Sequence, residues 1–157
     1  TYLSFLKSSG DKIKLDYISL EVFPLSLMEV KSLRYDHFFK TDNNILSFED
    51  FSKLSWDESH KLTNNFSLTK QNISFENFNT SKLFDLIFYN PFAPNVQPDL
   101  WKPKFIKKGY DLLKKGGIWI SYCAKGVVRR RLQDAGYEVS RLPGPPGKRE
   151  ILRAIKI

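Results

Sequence analysis

The amino-acid sequence predicts an α/β fold: a mostly parallel, doubly wound sheet with helices on both faces and an antiparallel strand pair at the C-terminus. Three observations support this fold class. Short apolar runs alternate with amphipathic segments along the chain. The run 84–89 ends in a proline-stiffened loop that leads into a helical pattern, as in a crossover between parallel strands. The last two apolar runs, 137–142 and 150–157, are joined by a Pro/Gly-rich loop, which favours an antiparallel pair.

In the first part of the chain, the patterns predict the end of a helix at 2–7, a strand at 15–22, a helix at 24–35, polar turns at 42–65, and strands at 66–70 and 84–89. The helix at 24–35 is expected to place Leu25, Met28 and Leu33 on its inner face. The strand at 84–89 is almost wholly apolar, so we expect it to be buried.

In the second part, the patterns predict a helix at 98–115, a strand at 118–123, a helix at 126–135, and the final strands at 137–142 and 150–157. The helix at 98–115 is amphipathic, and its inner face holds Leu100, Trp101, Phe105, Ile106, Tyr110 and Leu113. Gly116-Gly117 would end this helix, and Gly136 would end the helix at 126–135.

Length and composition limit the class of protein. The 157 residues are enough for a single domain over 1–157 with its own core. No segment approaches the ~20 apolar residues that span a bilayer, so we expect no membrane partner. The single cysteine, Cys123, is typical of a reducing cytoplasm and more consistent with a strand residue than with a nucleophile. With two histidines besides, the sequence predicts no metal site.

Charge is unevenly placed along the chain. The net charge is +8, and residues 101–157 carry 15 Lys/Arg against 4 Asp/Glu, whereas residues 1–100 carry 10 against 13. A basic half on an otherwise balanced chain suggests a polyanion partner, RNA or DNA. The alternative interpretation is a solvated basic face with no specific partner.

Polar side chains follow the predicted strands at the edge where such sheets bind ligands. Glu21, at the end of the strand 15–22, could accept two hydrogen bonds from a ribose diol, or could equally be an acid that favours the start of the next helix. Asn72 follows the strand 66–70, and its amide could meet an adenine edge because it offers both a donor and an acceptor.

Asn90-Pro91-Phe92, directly after the strand 84–89, is the most specific candidate for catalysis. An amine that attacks an electrophilic methyl group must be uncharged and must aim its lone pair. The Asn90 side-chain carbonyl and the Pro91 backbone carbonyl could accept two amine protons, and Phe92 could stack on a planar substrate. The alternative is an ordinary Asn-Pro turn after a strand.

Several ordered motifs resemble one family of tRNA-modifying methyltransferases, the MnmC/MnmD-like family that makes 5-methylaminomethyl-2-thiouridine. They are Glu21-x-Phe23-Pro24-Leu25, Phe92-Ala93-Pro94, Pro98-Asp99-Leu100-Trp101, Ala124-Lys125-Gly126-Val127-Val128-Arg129-Arg130-Arg131-Leu132, Ala135-Gly136-Tyr137 and Gly147-Lys148-Arg149-Glu150. The resemblance covers nearly the whole chain. It implies a Rossmann-like class I methyltransferase fold that uses S-adenosyl-L-methionine to methylate the exocyclic amine of 5-aminomethyl-2-thiouridine at the tRNA wobble position.

The resemblance also implies a role for each candidate cofactor residue. Glu21 with Val22 would hold the cofactor ribose, Asn72 and Ile73 would lie by its adenine, and Asn90 would face the cofactor. Asn90-Pro91-Phe92 would face the target amine. The basic residues expected to contact tRNA are Lys125, Arg129, Arg130, Lys148 and Arg149. In this family, an oxidase domain elsewhere can accompany the methyltransferase.

This chain departs from the family pattern in three places. Asn90 and Asn72 stand where the family has Asp, and Asn keeps the hydrogen-bonding shape but loses the charge. The glycine-rich cofactor loop would precede residue 1, so the resemblance predicts an N-terminally incomplete domain, in which two inner strands have unpaired edges.

Two alternative functions remain open on the sequence. One is methylation of another nucleobase or protein amine, because Asn90-Pro91-Phe92 also resembles the Asn-Pro-Pro-Phe/Tyr motif of such enzymes. The other is a non-catalytic RNA-binding remnant of the fold, which the two Asn departures and the missing glycine loop favour.

Overall fold

The computed structural model describes residues 13–35 and 46–157. The helix end predicted at 2–7, and part of the turns predicted at 42–65, lie outside the described residues. The chain divides into two compact units, Thr1–Phe78 and Asn79–Ile157. Each unit is described by itself, and a single domain over 1–157 stays a prediction.

The elements of the first unit are β1 (Leu15–Leu20), α1 (Leu27–Ser32), α2 (Phe48–Lys53), β2 (Ser59–Lys61) and β3 (Phe66–Gln71). They form a three-stranded sheet in the order β1–β3–β2. β1 and β3 are parallel, with Leu15 opposite Phe66 and Leu20 opposite Gln71, and β2 is antiparallel to β3. The parallel pairing of β1 with β3 agrees with the parallel strands predicted for this sheet, whereas β2 was not predicted.

The core of the first unit forms on one face of β3. Phe66 and Leu68 alternate along the strand and are both buried. The partly buried side chains of Leu15, Tyr17, Phe51, Leu54 and Leu62 pack against them. α2 therefore covers this sheet face through Phe51.

The predicted inner face of the helix at 24–35 is wrong. Ser26 and Glu29 form a capping box, so α1 begins at Leu27 and is six residues long. Within it, Val30 is the buried residue at 4% exposure, whereas Met28 is 82% exposed. Leu25 and Leu33, which flank the short helix, are also exposed.

The elements of the second unit are β4 (Phe84–Phe88), a 3₁₀ turn (Asp99–Trp101), α3 (Pro103–Leu112), β5 (Leu113–Ser121), α4 (Gly126–Asp134), β6 (Tyr137–Pro143) and β7 (Glu150–Lys156). They form a four-stranded sheet in the order β4–β5–β7–β6. β4 and β5 are parallel, and β7 is antiparallel to both β5 and β6. The predicted antiparallel C-terminal pair is confirmed.

The prediction that the strand at 84–89 is buried is wrong for most of its length. Among the described residues β4 has β5 on one side and no strand on the other, and β1 has β3 alone. The resemblance implied two such unpaired edges. Leu86 and Phe88 are 41% and 44% exposed, because an edge strand lacks the neighbour that would cover it. Tyr89, just after β4, is buried.

The helix predicted at 98–115 is shorter and begins later. The 3₁₀ turn precedes α3, which starts with Pro103 at its first turn. Leu113 already adopts extended backbone and opens β5, so Gly116-Gly117 lie in a strand and do not end the helix. The β4–β5 register shifts between Phe84 and Leu86, and Gly116 takes the positive φ of +76° that this bulge requires. Trp101, Phe105, Ile106 and Leu113 are buried as predicted.

Aromatic rings fill the core of the second unit. Tyr89 stacks on Trp119 with centroids 5.2 Å apart and meets Trp101 edge-on at 5.5 Å. Val128 and Leu132 of α4 are fully buried, and Gly136 ends that helix with φ +98°. Across residues 13–35 and 46–157, no helix is long and apolar enough to cross a membrane.

Candidate functional site

A cavity of about 580 Å³ opens in the second unit, where β4 and β5 end. Its lining comes from three segments: the turn after β4, the end of β5 with the loop that follows it, and the loop before β7 with the first residue of that strand. The lining residues are Asn90, Pro91, Ala93, Ser121, Tyr122, Cys123, Ala124, Lys125, Lys148, Arg149 and Glu150. Two predicted groups of site residues, Asn90-Pro91 and part of the basic set, therefore share one cavity.

Asn90 joins the ends of β4 and β5. Tyr89 N–H donates to the Ile120 carbonyl at 2.8 Å and continues the strand ladder by one residue. Just after β5, Tyr122 N–H donates to the Asn90 side-chain oxygen at 3.0 Å. This bond fixes the plane of the Asn90 amide. The carbonyl oxygen keeps a second lone pair, and the amide nitrogen keeps two donors for a ligand.

The turn after Asn90 is held by its backbone. Phe92 N–H donates to Gln97 Oε1 at 3.1 Å, and Trp101 Nε1–H donates to the Phe92 carbonyl at 2.8 Å. The Phe92 side chain is 73% exposed and is not among the residues that line the cavity. The structure thus brings Asn90 and Pro91 to the cavity but leaves Phe92 outside its lining.

Tyr89 bonds the 3₁₀ turn that precedes α3. Its hydroxyl donates to the Leu100 carbonyl, and burial raises the pKa of the hydroxyl above its ordinary value. The group therefore stays protonated and remains a donor across the physiological range.

The predicted basic residues fall into two sets. Lys125, Lys148 and Arg149 line the cavity. Arg129 and Arg130 are exposed on α4 and do not line it. The neighbouring Arg131 instead donates to the Trp101 carbonyl at 2.7 Å, so it stabilises the fold.

The cavity is electropositive. Its single lining carboxylate, Glu150, lies 3.4 Å from Arg141. Lys125 Nζ donates to Asn95 Oδ1 at 3.1 Å, a neutral partner that leaves its charge in place. Among the described residues, no carboxylate lies within salt-bridge distance of Lys148 or Arg149. A negatively charged ligand would therefore be favoured here.

Tyr122 and Cys123 were not predicted as site residues, because the run 118–123 was interpreted as a plain strand. β5 ends at Ser121, and both residues reach the cavity. A usable signal was present: Tyr122 follows the apolar run 118–120 after a single serine, at the end of the sheet where Asn90 lies. No group of three His, Cys, Asp or Glu within the described ranges could hold a metal ion.

The first unit brings its own four predicted residues together. Glu21 N–H donates to the Gln71 carbonyl at 3.0 Å, so Glu21-Val22 and Asn72-Ile73 follow the paired ends of β1 and β3. Asn72 Nδ2 donates to the Glu21 carbonyl at 2.9 Å and, less closely, to the Val22 carbonyl at 3.4 Å. Phe23 N–H donates to Glu21 Oε1 at 2.8 Å. Glu21 is exposed, and Oε2 has no bond within the described part of the chain.

The family profile of S-adenosyl-L-methionine-dependent methyltransferases matches residues 41–157, more than half of the chain. The chain belongs to this family. The MnmC/MnmD-like resemblance of its motifs is confirmed by curated relatives. The bifunctional protein MnmC of tRNA 5-methylaminomethyl-2-thiouridine biosynthesis from Pseudoalteromonas atlantica is 29% identical over 158 residues, which cover 90% of this chain. The same-named protein from Ralstonia nicotianae is 36% identical over 67 residues, or 43% of this chain.

This methyltransferase chain spans a small part of those relatives, 21% of the Pseudoalteromonas protein and 10% of the Ralstonia protein. Two solved structures share its fold. MNMC2 from Aquifex aeolicus superposes with a TM-score of 0.67 at 21% identity, over 97% of this chain and 47% of that one. A methyltransferase from Pyrococcus furiosus superposes with a TM-score of 0.52 at 20% identity, over 99% of this chain and 81% of that one. The predicted Rossmann-like class I methyltransferase fold is confirmed.

The residues after β1 and β3 fit part of the family's cofactor. An exposed carboxylate at the C-terminal end of a parallel strand is the usual partner of a ribose diol, and Glu21 Oε2 is available for it. The Asn72 carbonyl oxygen remains an acceptor for an adenine amine, while its nitrogen is used by the backbone. The first unit therefore offers two acceptor groups that match the hydroxyls and the amine of an adenosine.

Proposed function

We propose that this chain transfers the methyl group of S-adenosyl-L-methionine to the exocyclic amine of 5-aminomethyl-2-thiouridine at the wobble position of tRNA. The main observation behind the proposal is the cavity at the ends of β4 and β5. Asn90 and Pro91 line it together with three cationic side chains, those of Lys125, Lys148 and Arg149. The names of the MnmC relatives supply the nucleoside, and family membership supplies the cofactor. An RNA nucleotide is anionic, and the cavity is electropositive.

In this reaction the main role of the protein is to position the amine. When bound, S-adenosyl-L-methionine supplies a methyl group on a sulfonium, which a neutral amine can take by in-line displacement. The N–C bond would form as the S–C bond breaks, S-adenosylhomocysteine would leave with the bonding electron pair, and the resulting ammonium would release a proton to solvent. Positioning alone can supply up to about 7–11 kcal/mol of the barrier when the reacting atoms are well aligned.

Asn90 and Pro91 are proposed as the positioning groups. The second lone pair of Asn90 Oδ1 and the Pro91 carbonyl would each accept one amine N–H, which leaves the nitrogen lone pair to face the methyl group. The Tyr122 N–H bond keeps the Asn90 oxygen from rotating. Phe92, which is exposed beside this turn, would contact the substrate from outside the cavity lining.

The remaining predicted residues complete the proposal. Glu21 and Val22 would hold the cofactor ribose, and Asn72 and Ile73 would lie by its adenine. The tRNA backbone would contact the five basic residues, namely Lys125, Arg129, Arg130, Lys148 and Arg149. The proposed partner is therefore tRNA, bound largely through phosphate charge.

The proposal is tested by methyl transfer to two matched tRNAs, one with 5-aminomethyl-2-thiouridine and one with unmodified uridine at the wobble position. We expect transfer to the first alone. Asn90→Ala should lower kcat about 10- to 150-fold, because it removes one hydrogen bond to an amine that becomes charged. Transfer to both tRNAs, or to neither, would reject this substrate. Methylation of a free base or a protein would support the alternative amine methyltransferase.

One observation favours a second candidate, a non-catalytic RNA-binding module. The side chains of both Asn72 and Asn90 bond the backbone, so each has a structural role without any cofactor. A module of this kind would bind tRNA with a steep dependence on salt but would not bind S-adenosylhomocysteine. Measuring both affinities on the same preparation separates the two candidates.

A further inference from the structure

Tyr122 differs from the other aromatic residues around β5. Tyr89, Trp101, Trp119 and Tyr137 are buried and pack on one another. Tyr122 is 48% exposed, lines the cavity, and contacts no other ring among the described residues. A large ring that is not used by the core is free to pack against a ligand.

The position of Tyr122 is nevertheless fixed. Its backbone N–H is held by Asn90 Oδ1 at 3.0 Å, and the following Cys123 N–H donates to Ser121 Oγ at 3.1 Å. Tyr122 is therefore bonded directly to the amide that we propose for aligning the amine. Phe92, the exposed aromatic residue of the turn after Asn90, does not line the cavity.

The loop before β7 brings two cations to the same cavity. Gly144 N–H donates to the Arg149 carbonyl at 3.1 Å, and Lys148 N–H donates to the Pro145 carbonyl at 2.9 Å. These bonds fix the backbone of a loop whose side chains, Lys148 and Arg149, are exposed. Cations held in this way are suited to a phosphate group.

We propose that the target base stacks on Tyr122 while Lys148 and Arg149 bind a phosphate next to it, so that the substrate enters as a nucleotide extruded from its RNA strand. This inference rests on the proposed function and adds how the substrate is held. The cavity volume of about 580 Å³ lies within the ~300–1,000 Å³ of small-ligand sites. RNA is usually recognised through such unstacked bases, which pack on aromatic side chains.

The stacking is tested by fluorescence anisotropy with a labelled anticodon stem-loop RNA. Tyr122→Ala should weaken binding about 5- to 150-fold, the usual effect of losing one base–aromatic stack. Tyr122→Phe keeps the ring and should bind like the unmodified protein. If Phe92→Ala weakens binding and Tyr122→Ala does not, the base stacks on Phe92 and the proposal is overturned.

The phosphate site is tested by the salt dependence of the same binding. Lys148→Gln with Arg149→Gln should make the slope of log affinity against log salt shallower by about 0.7 for each phosphate that the variant no longer neutralises. The matched control is Lys114→Gln with Lys115→Gln, which removes two charges at the opposite end of β5, roughly 20 Å away by strand geometry. An equal change in slope for both pairs would refute a phosphate site at the cavity.

Methyl transfer measured in parallel separates this inference from the function on which it rests. RNA that binds and is methylated equally by the unmodified protein and Tyr122→Ala would overturn the inference alone. Binding that depends on Tyr122 without any methyl transfer would support the nucleotide site and reject the proposed function. Absence of RNA binding by the folded, unmodified protein would overturn both.

Discussion

Replacing Tyr137 by Phe is expected to stabilise the protein, although Tyr137 is buried. Its side chain is 4% exposed, and its hydroxyl has no hydrogen-bond partner among the described residues. An unpaired polar group in the interior costs about 1–3 kcal/mol. Phe keeps the ring, and with it the contacts to Tyr110 at 5.0 Å and Trp119 at 6.4 Å. We expect the free energy of unfolding to rise by about 1 kcal/mol and Tm by roughly 2–4 °C.

Tyr89→Phe is the matched control for this substitution. Tyr89 is equally buried, but its hydroxyl donates to the Leu100 carbonyl. Losing that bond should lower the free energy of unfolding by about 1 kcal/mol. The assay is urea unfolding followed by tryptophan fluorescence. The slope of the free energy of unfolding against urea concentration is compared between the variants, because equal slopes show that the unfolded states match. If Tyr137→Phe destabilises as much as Tyr89→Phe, the Tyr137 hydroxyl has a partner and the reasoning is refuted.

Tyr89 and Tyr137 also allow a prediction of how the free energy of unfolding responds to alkaline pH. Burial is the main cause that raises the pKa of both tyrosines in the folded state. Unfolded tyrosine titrates near pH 10. Because the folded pKa lies above the unfolded one, the stability is fully present below about pH 10 and is lost as the pH rises further. Tyr137→Phe should therefore lose less stability than the unmodified protein above about pH 10.

Three further predictions concern the cofactor, the amine and the core. Glu21→Gln should weaken S-adenosylhomocysteine binding about tenfold in calorimetry, because a charged acceptor for the ribose is lost; unchanged affinity would remove Glu21 from the site. Asn90→Asp should raise kcat for methyl transfer, since a carboxylate favours the developing ammonium; a fall with the fold intact would contradict that role. Leu132→Ala, at a fully buried position, should cost about 2–5 kcal/mol in urea unfolding, whereas the surface change Lys107→Ala should stay within about 0.5 kcal/mol.

The strand ends were the part of the site that the sequence could predict. Apolar runs followed by polar residues mark the C-terminal ends of parallel strands, and ligands bind at those ends. Glu21, Asn72 and Asn90 were placed there by pattern alone, and the structure puts each just after its strand. Tertiary context is not needed for this step, because the alternation of apolar and polar residues is local.

Local patterns failed where two local signals competed. Gly116-Gly117 after an amphipathic segment is a typical helix end, but Pro103 starts α3 late and Leu113 turns into β5. The buried position of Leu113 satisfies both interpretations, so hydrophobicity could not separate them. At α1, the sequence does contain the Ser26–Glu29 capping-box pattern. That pattern predicts a helix start at Leu27, as observed, whereas Pro24 predicts a start three residues too early.

Long-range pairing explains the remaining differences. β2 consists of Ser59, His60 and Lys61, which have no apolar period, and it exists because it pairs with β3. The bond from Tyr122 N–H to Asn90 Oδ1 joins residues 32 positions apart. Neither β2 nor this hydrogen bond has a local signature, so the contact between Tyr122 and Asn90 required the structure.

The measurement that tests the central claim most directly is titration calorimetry of S-adenosylhomocysteine into the 157-residue chain, with its fold checked by circular dichroism. We expect saturable binding of one molecule in the micromolar range, weakened by Glu21→Gln. A folded protein that releases no heat of binding at millimolar ligand would contradict the claim that this chain is a working S-adenosyl-L-methionine-dependent methyltransferase.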